Sequence, residues 1–231
     1  MAGAIRIISS MATRQVLADL VAEYRRGSAQ AVAVESVGGV DAAKRVHSGE
    51  AFDAVVLAAS AIEQLIDAGR IVAGSRVDLV RSGVAIAVRA GAPQPDVASE
   101  QAVKAAVLAA RSLSFSTGPS GVHLAGLFAR WGITDAIKNR IVLAPPGVAV
   151  GSLVANGQAE LGFQQLSELM NLSGITVLGP LPPEIQIVTT FCAGLSAASS
   201  QPDAVRALLA FMVSPASACA WVTASATGAI T

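Results

Sequence analysis

Ile5-Arg6-Ile7-Ile8-Ser9-Ser10-Met11-Ala12-Thr13, continuing from Arg14 to Gly27, sets the fold class. Residues 5–8 have the branched, apolar character of a buried strand. Residues 13–26 read as an amphipathic helix that Gly27 ends. The alternation carries on downstream. Residues 31–35 form a second strand, 41–47 a short helix, 53–58 a buried strand, and 62–68 a helix with Gly69 as its C-terminal cap. A β-α-β-α-β-α order predicts a parallel sheet covered by helices.

The middle of the chain repeats the alternation without repeating the sequence. Residues 84–88 read as strand, 91–95 as loop, and 99–110 as a helix with Ser99 near its cap. Strand 113–116 runs into Thr117-Gly118-Pro119-Ser120-Gly121, and residues 122–131 are helical. Strand 141–143, helix 148–155 ended by Asn156-Gly157, and strand 161–164 follow. Residues 184–195 form an extended apolar run about as long as two ordinary strands, and helical segments 203–213 and 216–224 close the chain. A long strand in mid-chain and another near the end are what a chain crossing twice between two lobes requires.

Composition narrows the function. Hydrophobic residues at 53% against 14% charged exclude disorder as the dominant state. Aromatics are 4%, so Ala and Val fill most of the apolar volume and suit helices packed closely on a parallel sheet. Lys plus Arg and Asp plus Glu are both 16, and no basic stripe appears, so nucleic acid is not an expected partner. Arg81, Arg89 and Asp203 interrupt the longest apolar stretches below the roughly 18 residues a bilayer crossing needs, so no membrane insertion is expected. The first ten residues lack a basic segment followed by an apolar one and a cleavage site. The favoured expectation is therefore a cytoplasmic protein if Met1 is the native start, and a periplasmic one if a signal peptide was removed.

Several chemistries are excluded by spacing. Cys192 and Cys219 have no metal-ligand spacing and read as buried and reduced. His47 and His123 share no spacing with carboxylates or cysteines, so no metal site is expected. Gly118-Pro119-Ser120-Gly121 lacks a P-loop lysine, and no GxGxxG follows a strand. No nucleophile elbow is present. No cofactor is expected.

What remains is the set of strand-to-helix turns, where a parallel sheet binds its ligands. They hold Ser9, Ser10 and Met11; Ser36, Val37, Gly38, Gly39 and Val40; Ser116 to Gly121; Pro145, Pro146, Gly147 and Val148; and Gln164 with Gln165. Any one of these turns is explained by capping and turn chemistry alone. Together, neutral hydroxyls, amides and free backbone N–H groups at helix starts make an anion site that needs no lysine. The ligand-binding candidates are Ser9, Ser10, Gly38, Gly39, Thr117, Gly118, Ser120, Gly121, Gly147, Val148 and Gln165. The catalytic residues, if any, are unknown.

The opening strand with Ser9-Ser10-Met11-Ala12-Thr13 resembles the first binding loop of the molybdate-binding-protein family of periplasmic substrate-binding proteins (type 2 fold). Residues 37–46, then Gly49-Glu50-Ala51-Phe52-Asp53-Ala54-Val55, are similar to its second loop, helix and strand. Asn156-Gly157-Gln158-Ala159-Glu160-Leu161-Gly162-Phe163 resembles its helix end and strand near the hinge. Pro202-Asp203-Ala204 with residues 208–215 is similar to its C-terminal region. The resemblance implies an α/β, two-lobed fold, each lobe a helix-covered, mostly parallel sheet, with the ligand bound between lobes. Lobe one would be residues 1–82 plus 188–231, and lobe two 83–187.

By the same resemblance Ser10 matches a serine whose hydroxyl and N–H hold ligand oxygens, while Ser120 and Gly147 fall where backbone N–H groups donate. Gly39 and Val40 stand in place of a second oxyanion-binding serine, and Gln165 in place of a tyrosine. Losing two hydroxyls favours an organic carboxylate over molybdate. The first reading is thus a binder of a small anionic ligand, with an ABC transporter permease as partner if the protein is exported. The alternative is an isomerase moving an allylic proton on a small tricarboxylate, since aconitate isomerases are similar to molybdate-binding proteins. Glu35, Asp41 and His123 are the nearest candidate bases by sequence, each with an ordinary structural role open to it. A ligand-sensing domain of a regulator ranks below both, as no DNA-binding segment is present.

Overall fold

The computed structural model describes residues 3–145 and 147–217. Its first strand, β1 (Ile5–Ser10), is two residues longer than the apolar run predicts. Ser9 and Ser10 continue the ladder opposite Ser36 and Val37, after the 3₁₀ turn Met11–Thr13 and α1 (Arg14–Gly27) have led the chain into β2 (Val32–Val37). Then come α2 (Gly39–His47), β3 (Ala54–Ala58), α3 (Ala59–Asp67) and β4 (Val77–Arg89). Gly69 sits just past α3 at φ 66°, its N–H bonded to the Ile66 carbonyl, as a left-handed C-terminal cap should.

The chain continues through α4 (Glu100–Ala109), capped by the Ser99 hydroxyl, β5 (Leu113–Phe115), α5 (Pro119–Arg130), α6 (Thr134–Ile137) and β6 (Ile141–Leu143). It then forms α7 (Val150–Ala155), β7 (Leu161–Gln165), α8 (Leu166–Leu169), β8 (Ile175–Pro180), β9 (Val188–Leu195) and α9 (Pro202–Met212).

These elements divide into two compact units, Met1–Arg81 with Thr190–Thr231, and Ser82–Thr189. In the first, the strand order is β2-β1-β3-β9-β4. Here β1 runs parallel to β2 and β3, and β9 antiparallel to β3. Alternate residues of β1 and β3 serve opposite faces. Ile5, Ile7, Ala54 and Val56 pack with Leu17 and Leu20 of α1 and Leu208 and Met212 of α9. Ile8, Val55 and Leu57 pack with Ala42 and Val46 of α2 and Ile62 and Leu65 of α3. A strand covered on both faces must be apolar at every position, which is why β3 is Ala-Val-Val-Leu-Ala. Each fully buried Ile or Leu contributes about 1.5–3 kcal/mol.

In the second unit β5 lies parallel between β6 and β7, and β4 runs antiparallel to β7 and β8. Phe115, Phe128 and Phe163 meet edge to face at its centre, among Val84, Ile86, Val103 and Val107. Each unit is thus a helix-covered α/β sheet, the expected class.

Some elements differ from expectation. Residues 84–88 are the end of a 13-residue strand. Sequence periodicity did not announce α6, α8 or β8. The run 184–195 is not one strand, because Pro183–Ile185 is a 3₁₀ turn and β9 begins at Val188. Two consecutive prolines, Pro182 and Pro183, remove ladder donors there, and Gln186 Oε1 accepts from the N–H groups of Val84 and Ile187 instead. Cys192 is a buried free thiol 3.0 Å from Asp78 Oδ1. Burial, then the Asp78 carboxylate, pushes it up to about 12, so it stays protonated. Cys219, Pro146 and the part of helix 216–224 beyond Ser217 lie outside the described residues.

Candidate ligand-binding turns

In the first unit the parallel pairing of β1 and β2, Ser10 opposite Val37, brings their C-terminal turns side by side. Ser10 is nearly buried; its hydroxyl accepts from Ala12 N at 3.3 Å and its carbonyl from the Thr13 hydroxyl at 2.9 Å. A Cβ on Gly39 would lie 3.5 Å from Ser10 Oγ, so the start of α2 touches the Ser10 hydroxyl. Gly38 caps α2, whose first N–H groups have no partner within the helix. Ser9 differs. It is fully buried, with its hydroxyl 2.8 Å from Ser36 Oγ and 3.4 Å from the Glu35 carbonyl, so it ties β1 to β2.

The acids nearest this turn serve other ends. Glu35 is exposed and paired with Arg45, which also binds Glu50. The Arg45 hydrogen bonds hold both carboxyls below the ordinary range, which makes each a weak base. Asp41 sits in the first turn of α2, where a carboxylate complements the helix dipole.

In the second unit β6 and β5 end level, with Phe115 opposite both Leu143 and Phe163, and β7 runs two residues further to Gln165, so the three turns leave the same end of the sheet. Gly118 caps α5 and Pro119 takes its first position. Ser120 and Gly121 are buried and Thr117 is exposed. A Cβ on Gly121 would fall 1.7 Å from the Ser116 carbonyl oxygen, so only glycine fits where the turn doubles back. His123 lies exposed on α5. Gly147 adopts φ 76°, and the Val148 N–H closes the turn on the Pro145 carbonyl at 3.0 Å. That amide is therefore occupied, while the Val148 side chain is exposed.

Gln165, at the end of β7, is buried. Its Nε2 donates to Thr189 Oγ1 at 2.8 Å, and its Oε1 has no partner. Beside it, Gln164 Oε1 accepts the Gly151 N–H at 3.1 Å and Gln164 Nε2 donates to Glu168 Oε2 at 2.6 Å. Glu168 and Thr189 escaped the sequence reading, and Gln164, placed by it in this turn, was not among the expected ligand contacts. The i,i+4 spacing of Gln164 and Glu168 across the start of a helix was the available signal. Among the described residues no cluster of His, Cys, Asp or Glu could hold a metal ion, and no helix is long and apolar enough to cross a membrane.

Comparison with known proteins gives the family and the fold. A family model described as bacterial extracellular solute-binding protein matches residues 5–224. An aconitate isomerase from a Pseudomonas species is 39% identical over 173 residues, which are 74% of this chain and 65% of that protein. The periplasmic molybdate-binding protein of Azotobacter vinelandii superposes with a TM-score of 0.79 at 18% identity, covering 98% of this chain and 99% of that one. The sulfate-binding protein of Mycobacterium tuberculosis gives 0.77 at 14% identity, over 96% and 86%. At such identities the two structures establish the fold alone. The cytoplasmic expectation is overturned, because the matched family is one of extracellular solute-binding proteins. That expectation leaned on the first ten residues, and where a chain begins does not report its compartment. The match over residues 5–224, on two helix-covered α/β units, makes this chain a member of the bacterial extracellular solute-binding protein family.

Proposed function

We propose that the protein binds a small organic polycarboxylate and shifts an allylic proton on it, as an aconitate isomerase does. The observation that carries this is the 39% identity to the Pseudomonas aconitate isomerase, against 18% to the molybdate-binding protein that shares the fold. The turns fit a carboxylate better than a tetrahedral oxyanion. Gly39 and Val40 offer backbone N–H groups but no hydroxyl. Gln165 offers a carboxamide, which can turn over so that the Thr189 hydroxyl donates to its oxygen and the NH₂ is freed for an anion. Ser10, Gly38, Gly39, Thr117, Gly118, Ser120, Gly121, Gly147 and Gln165 are the proposed ligand contacts; Ser9 supports Ser10 from within the sheet.

The test is NMR of the protein with cis- or trans-aconitate in D₂O. Interconversion or deuterium uptake is expected, and neither one at saturating, calorimetrically verified binding would sink the isomerase reading. A thermal-shift panel adds the ligand class, with tricarboxylates expected to stabilise more than molybdate or tungstate. Removing the Ser10 donor as Ser10→Ala should weaken binding by about 1.5–3 kcal/mol, the range for a hydrogen bond to a charged group.

A second reading is favoured by the family itself: capture of a small anion for an ABC transporter permease. Tight carboxylate binding without exchange is the outcome that selects it.

A further inference from the structure

Glu168 stands directly beyond Gln165, in the four-residue helix α8. Its carboxylate takes one hydrogen bond, from Gln164 Nε2 at 2.6 Å, and has no cationic partner among the described residues. Gln164 is itself locked, buried and bound through Oε1 to the Gly151 N–H in the first turn of α7. The carboxylate is thus pinned to the strand end that carries Gln165, next to the helix that follows the Gly147–Val148 turn. It is partly exposed, so it remains within reach of a small molecule. The elements around it, α7, β7 and β8, carry no titratable side chain. Strand β4 packs Ala85 and Ala87 against Leu169 and carries Asp78, Arg81 and Arg89, with Arg81 next to Ser82, whose hydroxyl lies 3.4 Å from Ser167 Oγ.

We propose that Glu168 is the proton carrier of the allylic shift. The carboxylate takes a proton from the methylene carbon of the bound polycarboxylate, and the freed C–H pair becomes the new double bond. The old double bond's pair takes up a proton at its far carbon, which the now neutral Glu168 returns. One proton leaves and one arrives, and nothing is oxidised. This role rests on the isomerase reading above.

A general base works best when its affinity for the proton matches the working pH. Burial pushes Glu168 up to about 7, against the opposing hydrogen bond from Gln164. The Arg45-bound Glu35 and Glu50 are held low instead.

The experiment measures deuterium uptake and interconversion of cis- and trans-aconitate in D₂O for wild type, Glu168→Gln and Gln164→Leu, with affinity by calorimetry. Loss of general-base catalysis is expected to lower the Glu168→Gln rate about 10²- to 10⁴-fold, with the dissociation constant changed less than about threefold. The wild-type rate should rise with pH through about 7. In Gln164→Leu that limb should move to higher pH, since a donor favouring the carboxylate is gone; a merely structural Gln164 would leave it in place. Exchange at the wild-type rate in Glu168→Gln overturns the role of Glu168 and leaves the isomerase reading standing. If Glu168→Gln does not fold, an unmoved limb in Gln164→Leu overturns the role in its place. No exchange by wild type with aconitate bound overturns both.

Discussion

Neighbouring residues of one sequence type reach different ends here. Ser9 and Ser10 are adjacent hydroxyls, yet successive side chains of a strand point to opposite faces. Ser9 is spent on Ser36 inside the sheet, and Ser10 reaches the start of α2. Gln164 and Gln165 split in the same way, one to Gly151 and Glu168, the other to Thr189. Glu168 has a consequence for stability as well as chemistry. Its folded-state affinity for the proton exceeds that of an unfolded glutamate, so its contribution to stability is fully present below about pH 4 and is lost as pH rises through about 7. Glu168→Gln should therefore match wild type near pH 4 and exceed it by about 3 kcal/mol at pH 8, an upper figure from the size of the shift. Urea unfolding at the two pH values checks this; equal midpoints at both would mean that Glu168 is ionised in the fold without cost.

At the level of elements, the turn into β3 is tied to the segment after β9 through Asp53. This buried carboxylate accepts from Arg6 N at 2.9 Å, the Ser199 hydroxyl at 2.7 Å and Gln201 Nε2 at 3.2 Å. Burial alone pushes Asp53 up, but these three donors outweigh it and hold its carboxyl below the ordinary range. A lowered acid contributes stability above its unfolded value, near pH 4, and that contribution fades as pH falls through the folded value. Asp53→Asn sets an amide N–H₂ among donors and should cost about 1–3 kcal/mol at pH 7. The gap to wild type should narrow in chemical denaturation at pH 3, and a gap that stayed constant would assign the loss to packing rather than to charge. In the sequence Asp53 was legible only as the start of a strand, because its partners lie at separations of 47 to 148 residues.

Across the whole molecule, the two units differ in how the chain builds them. Unit Ser82–Thr189 is one continuous segment, whereas the other joins Met1–Arg81 to Thr190–Thr231. Phe191, Ala193 and Leu195 of β9, with Val205, Leu208, Leu209 and Met212 of α9, complete the cluster that buries Ile5, Ile7 and Leu17. Without them β3 would also lose its antiparallel partner and become an open edge. A fragment of residues 82–189 should retain cooperative unfolding, while residues 1–81 alone should be unfolded and regain structure only with residues 190–231 added. Circular dichroism and amide exchange read this directly; cooperative folding of 1–81 alone would show that the C-terminal segment is dispensable.

The α/β class, the order of most elements and the glycine and serine turns were determined by the sequence itself. Strand and helix periodicities and capping are local, set within a few residues by backbone sterics and hydrogen bonding. Long-range pairing was beyond such signals. Only the tertiary structure decided that residues 84–88 extend back to Val77, that β8 joins β4, and that Val148 spends its N–H on its own turn. The state of an ionisable group is likewise a property of its surroundings. Glu35 and Glu168 are the same residue type in the sequence. One meets Arg45 at the surface, and the other is largely buried beside Gln164 with no ion-pair partner among the described residues, so one carboxyl is held low and the other lifted to about 7.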